Sequence, residues 1–461
     1  MSSLADKLCE GHMPVTSDEI VDLALTSSTR LIRFLYCDTS GIIRGKTSHI
    51  DKLKDRLKTG IGLVKGQMSM NLLDQLQAGT GFGAVGEVRL VPDTSTFVLL
   101  PYAPQSAAVI CDMYELDHRP WSLCPRNILK RQIERAEKLG IYFQAAFEPE
   151  FMIGFQEEGE FIPIDTGLCF STESMNRAAP FVMNFIHALE RQGIEIEQYY
   201  AELGHGQHEL SIAYAPVLKA ADRHVWYRET LRGVAQEQGL KVTLAPKPFA
   251  DQPGNGCHLH LSAWERASDA NAFSASGGQL SELGRQFVAG VLKHLPALIA
   301  ITCPSVNSYR RLQPRAWSSA YVCWGYENRE AAVRVPSVYW GREAESTNLE
   351  IKCVDSSCNP YLALAAVLAC GLDGIERKLE PPEPVDTDPS ALSQERAESQ
   401  NVRRFPLTLK DALLELENDD LLKETLGETM TRTFLVVKYS ECAAFAAGDA
   451  QLELAQHRYK F

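Results

Sequence analysis

Residues 141–155 read IYFQAAFEPEFMIGF. The run has the length and apolar content of a strand. At a period of two, the carboxylates of Glu148 and Glu150 share one face. Two acids pointing the same way off a sheet repel each other, and burial adds a cost to each charge. A bound cation relieves both. The alternative is an exposed edge strand with two solvated acids, which the apolar flanks FQAAF and FMIGF disfavour.

Working outward from this strand, PRNILKRQIERAEKLG precedes it as a helix with Pro125 at its start and Gly140 at its stop. After it come a helix FVMNFIHALERQG ending at Gly193, a strand IEIEQYYAEL, a helix near 219–237 and a strand KVTLAPKPF. HLHLSAW is a further strand, followed by a helix over 280–299. YVCWGYENREAAVRVP and TNLEIKCVDSSCNP are two strand candidates. NPYLALAAVLACGLDGIERKL is an apolar helix capped by Asn359 with Pro360 at its first position, a Pro/Ser-rich loop follows, and the tail from Pro406 is helical. Upstream, residues 16–27 form a short helix capped by Thr16 or Ser17. LIRFLYCDTSGIIRGKTSHI is a hairpin broken at Asp38–Gly41, and 87–115 holds short strands punctuated by Pro92, Pro101 and Pro104. The expectation is an α+β chain without internal repeats: a small β-rich domain over 1–115 and a larger domain over 116–461, with its chemistry on strands rather than loops.

The chain has 461 residues, enough to bury a large core without disulfides or metals. It carries 46 basic and 59 acidic residues, a net charge of −13. That excludes broad electrostatic capture of nucleic acid and argues against adhesion to anionic membranes. It does not exclude an anionic substrate, because a few buried arginines make a local positive site. The twelve cysteines are scattered without a CxxC. Several, such as Cys303, Cys323 and Cys370, sit in apolar or mixed runs and read as reduced, buried thiols of a cytoplasmic protein. The stretch MSSLADKLCEGHMP lacks the basic and apolar regions of a signal peptide, and no run approaches about 18 apolar residues.

Four further groups carry chemistry. Glu202 and Glu209 bracket the turn in ELGHGQHE and can converge on one point; a loop with two surface acids is the alternative. His258 and His260 share a strand face behind the Gly-rich entry PGNGC, a spacing found at zinc sites but also in core histidine pairs. Arg310, Arg311, Arg329 and Arg334 fall among Trp317, Tyr321, Trp324, Val333 and Val335, which favours a lined pocket for carboxylate or phosphate over a solvated basic face. Glu350 has Lys352 on its own face, which in isolation reads as a surface salt bridge. Taken together, five glutamates (148, 150, 202, 209 and 350) and His258 make a hard donor set suited to Mg²⁺ or Mn²⁺ rather than structural zinc. Several acids with several arginines suit a nucleoside triphosphate.

The ordered set EPEF, E…GQHE, KPF…GNGCHLHLS, NSYRRLQP, ENREAAVRVP and LEIKCVD…NPYLALAAVLACGLDGI resembles the glutamine synthetase family, from about residue 15 to the C-terminus. The resemblance implies an N-terminal β-grasp domain, a catalytic domain, and ring oligomers, here a dodecamer, with active sites at subunit interfaces. It implies two divalent metals or more: Glu150, Glu202 and Glu209 on one, Glu148, His258 and Glu350 on the other. By the same resemblance Glu197, His260 and Ser262 contact ATP, Arg329 and Arg334 face its phosphates, and Arg311, Gly254 and Lys352 hold L-glutamate. Asp38 corresponds to the acid that reaches a neighbouring site to help the incoming amine.

Three departures narrow the reading. Where the ammonium-using family pattern continues with Gly-Tyr-Glu after NSYxRLxP, this chain has Arg315-Ala316-Trp317. An indole cannot pair with ammonium as a carboxylate does, although its face holds a cation or an apolar group. Lys352 stands where the family usually has Arg. Between Tyr361 and Tyr439 there is no tyrosine to adenylylate. The expected activity is an ATP-dependent ligase joining L-glutamate to a primary organic amine, a small alkyl or aromatic one favoured over a polyamine or ethanolamine. The alternatives are an ammonium-using synthetase, an inactive relative serving as a scaffold, and a zinc amidohydrolase built on His258 and His260.

Overall fold

The computed structural model describes residues 16–446 and 450–461; the reading of the N-terminal stretch falls outside them. The chain divides into two compact units. One comprises the residues up to Asn127 with Phe151–Ala213 and Asp222–Thr243. The other comprises Ile128–Glu150, Tyr214–Ala221 and Leu244–Phe461. The long strand Ile141–Glu157 contributes its first ten residues to the second unit and the rest to the first.

In the first unit, Leu31–Cys37 pairs antiparallel with Ile43–His49 and parallel with Ser106–Tyr114. Glu87–Pro92 and Ile61–Val64 continue that sheet, which packs on the helix Leu53–Thr59. Helix Ser17–Thr26 begins at a full capping box, with Thr16 and Glu19 satisfying each other's backbone N–H groups. The turn joining the first two strands is held by Asp38, whose Oδ1 accepts the Ser40 and Ile42 N–H groups at 2.9 Å and whose Oδ2 faces Arg44 Nε at 2.6 Å. A second hub is Arg126. It grips both oxygens of Asp222 at 2.9 and 2.7 Å and reaches Asp112 at 3.1 Å and Asp93 at 2.9 Å.

In the second unit, the 141–149 segment pairs antiparallel with Cys257–Glu265, then Leu349–Ile351, Ala331–Val335, Tyr321–Tyr326 and Arg403–Arg404 follow. Alternation is strict where the sequence indicated it. Phe143, Ala145, Phe147, Leu259, Leu261 and Ala263 face the core, while Glu148, Glu150, His258, His260 and Ser262 face the other way. The core side is covered by helices Glu282–Thr302 and Pro360–Glu376. These two approach so closely that a Cβ on Gly290 would lie 2.1 Å from Cys370 O, and one on Gly374 would lie 2.0 Å from Gln286 O. Asn359 caps the second helix as its sequence indicated.

The α+β class holds, with three local differences. YVCWGYENREAAVRVP is two short parallel strands rather than one. Glu327 adopts a positive φ of 55°, and the Asn328 amide ties the connecting turn to Val385 O and Thr387 O. KVTLAPKPF is a strand only over Lys241–Thr243, because Pro246 and Pro248 remove ladder donors. The helix before Gly193 starts at Thr172, where Ser171 caps it. All eleven described cysteines are free thiols, nine of them buried. No described helix is long and apolar enough to cross a membrane.

Candidate active site

The open face of the second unit's sheet collects the charged residues in rows. Register places His258 opposite Glu148, and His260 opposite Glu350, which in turn lies opposite Arg334. Across these rows, Arg334 Nη1 lies 2.7 Å from Glu350 Oε2, and His258 Nδ1 lies 3.2 Å from Glu350 Oε1. Lys352 Nζ stands 3.3 Å from Glu350 Oε1 and 3.4 Å from His258 Nε2. Glu350 is itself buried. Burial pushes its carboxyl up, but Lys352, His258, His260 and Arg334 outweigh that and hold it well below the usual range.

His260 differs from its neighbour. Its Nε2 lies 3.0 Å from Glu148 Oε2 and its Nδ1 2.8 Å from Asn348 Oδ1. Burial opposes its charge, yet the carboxylates of Glu148 and Glu350 and the Asn348 amide carry it up to about 9. His258 is driven the other way, by burial and by Lys352. Donor atoms of Glu148, His260 and Glu350 all lie within 4.8 Å of one another. His260 thus joins Glu148 and Glu350 in this group, while His258, which the resemblance placed there, stays opposite Glu148 and beside Glu350 with Lys352 against its other ring nitrogen.

Glu150 belongs to the same face. A Cβ on Gly256 would lie 3.0 Å from Glu150 Oε1, 3.0 Å from His258 Nε2 and 3.2 Å from Arg311 Nη1, so these three groups gather closely around the glycine at the strand entry and a side chain there would push them apart. Burial raises the Glu150 carboxyl, against the opposing pull of the Gly256 N–H and Arg311. A half-buried acid whose carboxyl is raised, beside a second acid and an imidazole, is a donor set a hard divalent cation would stabilise. Arg311 is buried, donates to Val354 O at 2.9 Å, and rests its aliphatic stem against Gly254, whose Cβ would lie 2.7 Å from Arg311 Cγ. Ser262 accepts the Trp264 indole N–H at 2.9 Å.

The remaining arginines separate. Arg329 is exposed at the mouth of strand Ala331–Val335. Arg310 leaves the group altogether and forms a two-pronged pair with Glu453 of the C-terminal helix at 2.6 and 2.8 Å.

Trp317 is 64% exposed and lies in a loop where Arg315, Trp317 and Ser319 all take positive φ, at 59°, 52° and 65°. Each such residue costs about 1–2 kcal/mol. The loop is held by Ser318 Oγ donating to Arg311 O at 2.7 Å and by Glu330 Oε1 accepting the Trp317 N–H at 2.8 Å.

In the first unit, strands Ile196–Ala201 and Gln207–Ile212 form the hairpin carrying Glu202 and Glu209. Glu209 lies opposite Tyr200, and the Glu202 N–H donates to Gln207 O at 2.8 Å, so the two acids are diagonal neighbours on one face. Tyr200 and Ser211 hydroxyls donate to Glu209 Oε1. Glu197 is the extra residue of a bulge, since Ser211 faces Gln198 and Ile212 faces Ile196. Asp38 is fully buried in its turn, with its carboxylate engaged as described.

Sequence reasoning missed Asn348, Gly256 and Glu330. Gly256 was legible within GNGC. Asn348 and Glu330 had no local signal, because each acts across a sheet or a loop on a residue distant in sequence.

Known proteins share this arrangement of domains. Residues 16–121 match the glutamine synthetase N-terminal domain and residues 122–457 the glutamine synthetase catalytic domain. The chain is 35% identical over 431 residues to the γ-glutamylpolyamine synthetase GlnA3 of Streptomyces coelicolor, covering 92% of each chain. It is 32% identical over 456 residues to the glutamine synthetase of Methanococcus maripaludis, covering 95% of this chain and 98% of that one. Among solved structures it is similar to GmaS in complex with ADP, with a TM-score of 0.82, 29% identity, and coverage of 94% and 98%. The chain belongs to the glutamine synthetase family.

Proposed function

We propose that this protein is an ATP-dependent glutamate–amine ligase that joins L-glutamate to a primary organic amine. The observation that carries the reading is the exposed Trp317 indole at the position where the ammonium-using pattern has an acid, beside an otherwise complete set of acids, imidazoles and arginines. The likenesses to GlnA3 and to the ADP-bound GmaS support it.

The γ-phosphoryl group of ATP moves to a γ-carboxylate oxygen of glutamate and ADP leaves. The amine nitrogen then attacks the carbonyl carbon, inorganic phosphate departs, and the nitrogen gives up a proton. A carboxylate is a poor electrophile, so the first step supplies the leaving group. Arg334 and the exposed Arg329 face the phosphates and offset charge that builds up there. Arg311, Gly254 and Lys352 hold glutamate, while Glu197, His260 and Ser262 contact the nucleotide. The family uses ATP with divalent cations; bound by Glu148, His258 and Glu350 on one side and Glu150, Glu202 and Glu209 on the other, two such cations, Mg²⁺ or Mn²⁺, would neutralise phosphate charge. The ring is dodecameric and cytoplasmic, with the chain divided at 115 and 116 into its β-grasp and catalytic domains; Asp38, buried and engaged by its own turn and Arg44, would have to be released from Arg44 to serve a neighbouring subunit.

Small alkyl or aromatic amines suit the indole best. The likeness to GlnA3 favours polyamines as a second reading. The retained donor set speaks against an inactive scaffold. The test is ATP- and glutamate-dependent phosphate release across a panel of alkylamines, anilines, ethanolamine, polyamines and ammonium. Organic amines are expected to win. Ammonium outperforming all of them at low millimolar concentration would overturn the reading.

A further inference from the structure

One buried acid beside the Trp317 loop has no assigned role. Glu330 is 8% exposed and stands between Arg329 and the strand Ala331–Val335. Its Oε1 accepts the Trp317 N–H at 2.8 Å, and its own N–H donates to Asn328 Oδ1 at 3.0 Å. Among the described residues it forms no ion pair. The cations nearby are committed elsewhere: Arg315 Nε faces Asp388 at 3.4 Å and Ser390 at 3.2 Å, and Lys352 faces Glu350 and His258.

A carboxylate is an expensive way to hold a loop. Glutamine at the same position would accept the same N–H without burying a charge. Burial raises the Glu330 carboxyl and the charge of Asp388 adds to that, while the N–H groups of Trp317 and Arg315 and, least of all, Lys352 pull it down. The charge has a purpose if a cation arrives. Glu330 bonds the backbone of residue 317, the position from which an acid is missing, and the indole there is exposed on a residue of positive φ. An alkyl- or arylammonium has both features such a pair matches: a cationic head for the carboxylate and an organic substituent for the aromatic face.

We infer that Glu330 is the acidic element of the amine subsite, binding the ammonium head of the acceptor while the Trp317 indole covers its substituent. This assignment rests on the ligase reading above. It makes Glu330 a specificity-determining residue supplied by the mouth of a strand rather than by the loop itself.

The experiment is steady-state kinetics of Glu330→Gln, using the best acceptor found for the unaltered enzyme. The amide oxygen still accepts the Trp317 N–H while the charge is lost, and the KM values for ATP and glutamate report whether the loop is retained. The KM for the amine should rise about tenfold or more, the worth of one charge-assisted hydrogen bond, with the KM values for ATP and glutamate little changed. Glu330→Asp keeps the charge and should fall between the two. An unchanged amine KM in Glu330→Gln would reduce Glu330 to a loop prop and overturn the assignment. Should Glu330→Gln fail to fold, an unchanged amine KM in Glu330→Asp, which withdraws the charge by one methylene, would overturn it equally. If ammonium proves to be the acceptor, the organic-amine reading fails separately, and the same variants measured with ammonium still decide the role of Glu330.

Discussion

Arg334 and Glu350 face each other across adjacent strands, with Arg334 Nη1 2.7 Å from Glu350 Oε2 and the register placing the residues directly opposite. Lys352 closes on the other oxygen of Glu350 at 3.3 Å, so one buried acid answers two cations. Removing it leaves both without their carboxylate partner. Glu350→Gln should cost about 3–5 kcal/mol in denaturant unfolding and cancel thermal stabilisation by Mg²⁺ with ATP. A variant that keeps that stabilisation would separate Glu350 from the cation site.

Glu150 tests the chemistry more directly. Its half-buried carboxyl is raised without a cation. Glu150→Ala should abolish glutamate-dependent phosphate release, and retained turnover would count against its placement as a metal ligand. Treatment with EDTA should likewise stop phosphate release. Mg²⁺ or Mn²⁺ should restore it and Zn²⁺ should not, because the donor set is carboxylate-rich. Rescue by zinc alone would favour the amidohydrolase alternative.

Trp317→Glu restores the acid of the ammonium-using pattern on the same exposed loop. The ratio of kcat/KM for ammonium to that for the preferred organic amine should rise by about tenfold or more. An unaltered ratio would remove Trp317 from acceptor choice.

The Arg126 hub sets an acid limit. Burial raises the Asp93 carboxyl, but Arg126 and Ser95 outweigh it and hold it below its ordinary 3.8. Its contribution is therefore fully present above that value and is lost as pH falls below it. Asp93→Asn should make stability less steep with pH in that acid window, measured by thermal unfolding. Arg126→Met should cost about 3–5 kcal/mol at neutral pH, since the buried carboxylates lose their partner.

The helix crossing at Gly290 and Gly374 has no room for a side chain. Gly374→Ala should cost about 1–3 kcal/mol by overpacking, seen as a lower Tm. An unchanged Tm would mean that the two helices separate freely.

Local signals determined most of the elements. The alternation in IYFQAAFEPEF and CHLHLSA, the Thr16–Glu19 capping box, and Asn359 before Pro360 each act within four residues, and sterics and nearby hydrogen bonds decide them. They also put Glu148, Glu150, His258 and His260 on their faces. The sequence reading set His258 with Glu148 and Glu350, and it had no means of showing that His260 also reaches Glu148 while Lys352 and Asn348 approach the two rings from other segments. It grouped Arg310 with the pocket, whereas Glu453, 143 residues away, claims it. It gave no sign that Glu330 bonds the backbone of Trp317. Strand register and loop packing set these pairings, and they exist only once distant segments have closed on one another.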